Sequence, residues 1–183
     1  MTRLSLSLLG SFQASLGKEP LTDFRTRKVQ ALLIYLAAEP EAHSRDALLD
    51  LLWPGLPVKS ARSNLRQILY YLRQMLSEDN GADVPAVLAN RQEIWLNSKT
   101  DVSVDTWRLE ELMEQVQTHD HLDLSLCRDC AAVLQEAVAL YRGPFLADFY
   151  LDDSNEFEKW ATWRRATLER MVLEILENLS EYH

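Results

Sequence analysis

At 183 residues, 47% of them apolar, the chain is long enough for one or two domains, each with a buried core. No apolar run approaches the roughly 20 residues of a membrane span. Residues 1–3 lead straight into strand-type alternation in place of a secretory leader, and two cysteines in a chain without targeting signals point to a reducing cytoplasm rather than a disulfide scaffold. The net charge of −9 is unevenly distributed: residues 1–100 carry 12 Lys and Arg against 10 Asp and Glu, whereas residues 101–183 carry 7 against 18. Such asymmetry predicts two domains with different partners, or an acidic half that is simply a set of solvated helix faces.

Leu4, Leu6 and Leu8 alternate with Ser5 and Ser7, and residues 12–16 resume the alternation after Gly10, so the chain opens as a small antiparallel sheet with a turn at 17–20. A helix over 26–38 follows, with Val29, Leu32, Leu33 and Leu36 as its buried stripe and Pro40 as its stop. Ser44 has the chemistry of an N-cap for a short second helix carrying Leu48, Leu49, Leu52 and Trp53, which Pro54 and Gly55 end. A tight link leads to a long helix over 57–76, with Pro57 in its first turn. After a loop at 79–83, residues 87–89 and 93–96 flank a turn and read as a hairpin. The order of sheet, three helices and hairpin is that of a winged helix, the helix-turn-helix variant in which a β-hairpin flanks the recognition helix. From Val104 onward the periodicity is helical. One helix is marked by Leu109, Leu112, Met113 and Val116, and a second by Leu126, Cys130, Val133, Leu134, Ala137, Val138 and Tyr141. The third and longest is marked by Phe157, Trp160, Ala161, Leu168, Met171, Val172, Ile175 and Leu179. These are of the size found in tetratricopeptide pairs, without a clean 34-residue repeat. The last helix has no capping glycine, which fits a truncated helical domain in a longer protein.

The helix over 57–76 carries the chemistry. At about 100° per residue, Ala61, Leu65, Ile68, Leu69, Leu72, Met75 and Leu76 fall on one arc. Lys59, Arg62, Arg66, Tyr70 and Arg73 fall on another, fringed by Ser63, Gln67 and Gln74. No Asp or Glu occurs from Leu51 through Ser77. A cationic, amide-rich helix face of this kind, behind a short helix and a tight turn, is how many proteins enter the major groove of DNA. Arg62, Ser63, Arg66, Gln67 and Tyr70 are the candidates for base edges, since Arg pairs with guanine and Gln with adenine in bidentate fashion. Lys59, Arg73 and Arg91, with Arg27, Lys28 and Arg45 near helix starts, are the candidates for phosphates.

The runs 8–12, 27–36, Leu51-Leu52-Trp53-Pro54 and Ala61-Arg62-Ser63-Asn64-Leu65-Arg66-Gln67 resemble the DNA-binding half of the Streptomyces antibiotic regulatory protein family, whose winged helix is of the response-regulator type. Asp105-Thr106-Trp107, the run 137–146 and the helix over 160–179 resemble that family's bacterial transcriptional activator domain. The resemblance covers nearly the whole chain. It implies an α+β winged helix-turn-helix domain at residues 1–98, followed at 102–183 by an all-α tetratricopeptide-like helical domain. It further implies a cytoplasmic bacterial transcriptional activator that binds double-stranded DNA and associates with itself on DNA or with RNA polymerase.

Other chemistries find little support. Phosphate-binding loops, nucleophile elbows and zinc-protease helices are absent from the sequence, so no enzymatic activity and no cofactor are expected. His119, His121, Cys127 and Cys130 have a spacing compatible with zinc, but helical periodicity turns both cysteines toward the core, where free cysteine acts as a small hydrophobe, and no metal is expected. The rival function is a protein-interaction module that has lost DNA binding and recruits a partner through the acidic helical half.

Overall fold

A computed structural model describes residues 4–77, 85–120 and 127–182. The alternation at the N-terminus forms β1 (Leu4–Ser7), in which Leu4 and Leu6 are buried, followed by β2 (Gln13–Leu16) and β3 (Glu19–Pro20). β2 and β3 pair antiparallel, Leu16 opposite Glu19, about a turn in which Gly17 takes φ +61°. The turn is thus tighter than the expected 17–20, because Glu19 and Pro20 already belong to the ladder. A strand not evident in the sequence, β7 (Val102–Val104), completes a four-stranded sheet in the order β3-β2-β1-β7. Leu4 N–H donates to the Asp101 carbonyl beside it at 2.9 Å.

α1 (Arg27–Ala38) starts at Thr26, whose side chain accepts from Val29 N–H, and stops at Glu39, next to Pro40. It is buried on more than the expected stripe: Ala31, Ile34, Ala37 and Ala38 join Val29, Leu32, Leu33 and Leu36. α2 (Arg45–Leu52) is capped as its sequence requires, with Ser44 Oγ accepting from Ala47 N–H at 3.1 Å and Asp46 in the positive first turn. α3 (Val58–Leu76) buries Ala61, Leu65, Ile68, Leu69, Leu72 and Leu76. Pro57 precedes this helix as its N-cap instead of lying in its first turn. The hairpin forms from β5 (Val87–Ala89) and β6 (Glu93–Leu96), with Leu88 opposite Trp95. It gains a third strand, β4 (His43–Ser44), where His43 faces Ile94, giving the order β4-β6-β5. The residues just before α2 are therefore stitched to the hairpin that follows α3.

The remainder is helical: α4 (Asp105–Thr118), α5 (Arg128–Leu140) and α6 (Asn155–Tyr182). A mixed α+β part followed by a helical part matches the coarse sequence expectation. Leu109, Leu112, Met113, Val116, Cys130, Leu134 and Ala137 are buried, as their periodicity requires. Cys127 departs from it: it is the N-cap of α5, only half-buried, because the helix starts at Arg128, after it, whereas the apolar spacing runs the helix back to Leu126. Leu126, His121 and the loop at 79–83 lie outside the described residues. Among the described residues no helix is long and apolar enough to cross a membrane.

The chain divides into two compact units whose segments interleave in sequence. The first comprises Met1–Leu6, Gln13–Ser103 and Tyr150–Trp160. Its late segment is held against α1 and α2: Lys28 Nζ pairs with Asp153 at 2.9 Å, Trp160 Nε1 donates to Glu39 at 3.0 Å, and the buried Ser154 hydroxyl donates to the Leu51 carbonyl. The second unit comprises Ser7–Phe12, Val104–Phe149 and Ala161–His183. Here the Asp105 carboxylate accepts from Leu8 N–H at 2.8 Å and Leu9 N–H at 2.9 Å, and Arg142 stands 3.8 Å away. Gly10 sits at φ +106°, where a Cβ would meet the Arg142 side chain at 3.3 Å, so only glycine fits.

Candidate nucleic-acid interface

α3 has two opposed sides because its apolar and cationic residues are out of phase at 3.6 residues per turn. With the apolar side buried, Lys59, Arg62, Ser63, Arg66, Gln67, Tyr70, Arg73 and Gln74 are all exposed. Tyr70 is 58% exposed, and its hydroxyl accepts from Gln74 Nε2 at 2.6 Å. Gln67 Nε2 donates to Tyr71 Oη at 2.9 Å, and Arg66 Nε to the Arg62 carbonyl at 3.4 Å. These i, i+4 links hold the long side chains along the helix surface with their remaining donors outward.

α2, α3 and the hairpin enclose an open concavity of about 770 Å³. Arg45, Asp46, Arg62, Arg66, Arg91, Gln92 and Glu93 are among the residues that line it. The arginines of this region divide by role. Arg45 reaches across to the hairpin turn, where Nε and Nη2 donate to the Asn90 carbonyl at 3.0 and 2.9 Å. Asn90 in turn closes that turn by accepting from Gln92 and Glu93 N–H, both at 2.7 Å. Arg73 Nε donates to the Val87 carbonyl at 3.3 Å, at the other end of the same hairpin. The proton of Arg45 is held less tightly than usual, first because it is partly desolvated and then because Arg73 and Arg66 are cations nearby. That mutual repulsion marks a concentrated positive field.

Arg62 Nη2 lies 3.4 Å from Asp46 Oδ1, with both side chains largely exposed. Asp46 is thus the local counter-charge of the face, a role invisible on the helical wheel of α3 because it sits on α2. Asn90 reads in the sequence as part of the hairpin turn, but its role as acceptor for Arg45 is invisible there because the two lie 45 positions apart. Arg91 is exposed on the hairpin turn and borders the concavity. Arg27 is exposed at the first position of α1 and is not among the residues lining the concavity.

Lys28 requires a correction. Only 12% of its side chain is exposed, and Nζ is engaged by the Leu52 carbonyl and Asp153, with the Trp53 ring 5.6 Å away. Its position near a helix start suggested a phosphate ligand, but the end of α2 and the 150–160 segment enclose it, so it serves structure. Trp53 and Trp160 are half-buried, less than the core placement their helices suggested, while Trp163 is 59% exposed. In the second unit, His119, Cys127 and Cys130 converge, their ligating atoms all within 4.8 Å of one another.

Residues 104–183 match the bacterial transcriptional activator domain family. No curated protein matches the chain. Among solved structures, that of Mycobacterium tuberculosis EmbR in complex with a low-affinity phosphopeptide is similar, with a TM-score of 0.71 and 27% identity. The match covers 94% of this chain and 44% of that one, so this chain spans less than half of the EmbR chain's length.

Proposed function

We propose that the chain, whose residues 104–183 match the bacterial transcriptional activator domain family, is a regulator of the Streptomyces antibiotic regulatory protein type and a sequence-specific, cytoplasmic DNA-binding activator. In this reading residues 1–98 are a winged helix-turn-helix domain, α3 lies in the major groove, and the β5–β6 hairpin is the wing at a flanking minor groove or backbone. Residues 102–183 are a tetratricopeptide-like domain that positions the first and supports self-association on DNA or contact with RNA polymerase.

The observation that carries the proposal is the exposed anion-free face of α3, with Arg62 and Arg66 opening into the same concavity as Arg91. Arg62, Ser63, Arg66, Gln67 and Tyr70 would read base edges. Lys59 and Arg91 would hold phosphates, and Arg27 another at the start of α1. Arg45 and Arg73 have a second duty: each spends donors on the hairpin and keeps the rest for the backbone of DNA, so they fix the wing relative to the reading helix.

Fluorescence anisotropy tests the proposal, with duplexes from upstream of the protein's own gene, a scrambled duplex, two salt concentrations and the double variant Arg62→Ala/Arg66→Ala. Selective, salt-sensitive binding that the variant loses is the expected result. Absence of binding to either duplex at low salt by the folded chain would refute it and favour the protein-interaction module, for which the acidic residues 101–183 speak.

A further inference from the structure

α4 ends at Thr118, with His119 as its C-cap, and α5 begins after Cys127, its N-cap. Cys130 lies in the first turn of α5, on the buried side. His119 Nδ1 stands 3.0 Å from Cys130 Sγ and 3.5 Å from Cys127 Sγ. Tetrahedral zinc, with bonds of about 2.3 Å to sulfur and about 2.0 Å to nitrogen, sets sulfur–nitrogen separations of about 3.5 Å and sulfur–sulfur separations of about 3.8 Å. The Cys127–His119 edge therefore matches such a site, the Cys130–His119 edge needs to open by about half an ångström, and the two sulfurs lie within 4.8 Å of each other.

Two further features point the same way. Cys127 makes no side-chain cap bond to the helix N–H groups, the usual work of a side chain at that position, and its sulfur turns to His119 instead. His119 is exposed and Cys127 half-buried, so an ion has a way in, while the buried Cys130 gives the site a dry inner side. Neither cysteine is in a disulfide.

We propose that His119, Cys127 and Cys130 form a soft-transition-metal site that takes Zn²⁺ and clamps the end of α4 to the start of α5. Nδ1 and two thiolates supply three ligands, and the fourth position is left for water or an exogenous ligand. On binding, each thiol loses its proton to solvent, so two protons are released per ion and the two thiolates neutralise the charge of Zn²⁺. The ion would staple the helical pair of the activator domain.

The test uses the full chain, reduced, stripped with chelator and free of any affinity tag. Co²⁺ is titrated first as a spectroscopic probe, then displaced by Zn²⁺. The expected result is one Co²⁺ per chain, with a sulfur-to-metal charge-transfer band in the near ultraviolet and visible bands of tetrahedral strength. Zn²⁺ should raise Tm where Mg²⁺ does not. Cys127→Ser and His119→Gln alter residues outside the core, so both should keep the wild-type far-ultraviolet circular dichroism and lose at least tenfold in metal affinity. The proposal is overturned if the reduced protein gives no charge-transfer band, if either variant binds Co²⁺ as the parent does, or if the sole chemistry found is a Cys127–Cys130 disulfide with no metal uptake by the thiol form.

Discussion

Asp46 is the anion paired with Arg62, so Asp46→Asn should make the protein bind DNA more tightly while making it slightly less stable. The Arg62–Asp46 contact is 3.4 Å, between side chains 59% and 76% exposed. An exposed pair of this kind is worth about 0.2–1 kcal/mol, which DNA must displace when it takes the guanidinium. A phosphate on the far side of Arg62 would also lie about 7 Å from Asp46, a repulsion of about 0.6 kcal/mol in water before salt screening. Together these give about 0.5–1.5 kcal/mol, or a gain of about 2–12-fold in affinity. Against this, Asp46 stabilises the positive first turn of α2, and its charge there is worth about 0.3–1 kcal/mol of folding. Anisotropy titrations with one duplex at two salt concentrations, beside urea denaturation of the same samples, check both signs. Asp50→Asn, one turn further along α2 and not among the residues lining the concavity, is the control and should change affinity less than about twofold. Unchanged or weaker binding by Asp46→Asn would refute the placement of Arg62 on the DNA-contacting face.

The roles assigned along α3 separate in salt and sequence. Lys59→Ala should weaken binding to every duplex alike and reduce the salt slope by about 0.9, whereas Arg66→Ala should cost about 1–3 kcal/mol on the selected duplex and little on a scrambled one. Asp105→Ala leaves two buried main-chain N–H groups, those of Leu8 and Leu9, without their acceptor, and should cost about 2–5 kcal/mol in urea denaturation. Burial raises the Asp105 pKa against the opposing pull of the Leu8, Leu9 and Thr106 N–H groups and Arg142. The native state thus keeps that proton to higher pH than the unfolded chain, and ionisation erodes stability as pH rises from about 4 through the raised native value. The stability deficit of Asp105→Asn, which has no such titration, should accordingly shrink from acid toward neutral pH when denaturation is repeated across that range. Ser154→Ala removes an acceptor for Phe157 N–H and a donor to the Leu51 carbonyl, and should lower stability by about 1–2 kcal/mol without changing DNA affinity per folded molecule.

What the sequence discloses and what it hides divide along the range of the interactions concerned. α1, α2 and α3 were legible because period, N-cap and stop signals all lie within a turn or two of one another: Thr26 with Val29, Ser44 with Ala47, Pro40 after Glu39. The exposed row from Lys59 to Arg73 follows from that same period. β4 and β7 were not legible. At two and three residues they are too short to show alternation, and β7 completes a sheet with residues almost 100 positions away. The same holds for the 7–12 segment, which belongs with the helical unit because Leu8 and Leu9 N–H groups end on Asp105. Cys127 was misplaced for a smaller reason: apolar spacing cannot distinguish the first helical residue from the cap before it.

The arginines show why a count of charges underdetermines a binding face. On the wheel of α3, Arg62, Arg66 and Arg73 are equivalent, and at helix starts Lys28 and Arg45 are equivalent too. What distinguishes them is the identity of acceptors contributed by distant residues. Asn90 and Val87 offer carbonyls to Arg45 and Arg73, Asp46 offers a carboxylate to Arg62, and Asp153 with Leu52 takes Lys28 out of solvent. A cation that bonds a neutral carbonyl keeps its full charge, so Arg45 and Arg73 strengthen the positive field while anchoring the hairpin. A cation that pairs with a carboxylate does not, so Lys28 is lost to the face and Arg62 is held in check by an anion that substitution can remove. The affinity of the face is therefore set as much by Asp46 and the hairpin carbonyls as by the number of basic residues on α3.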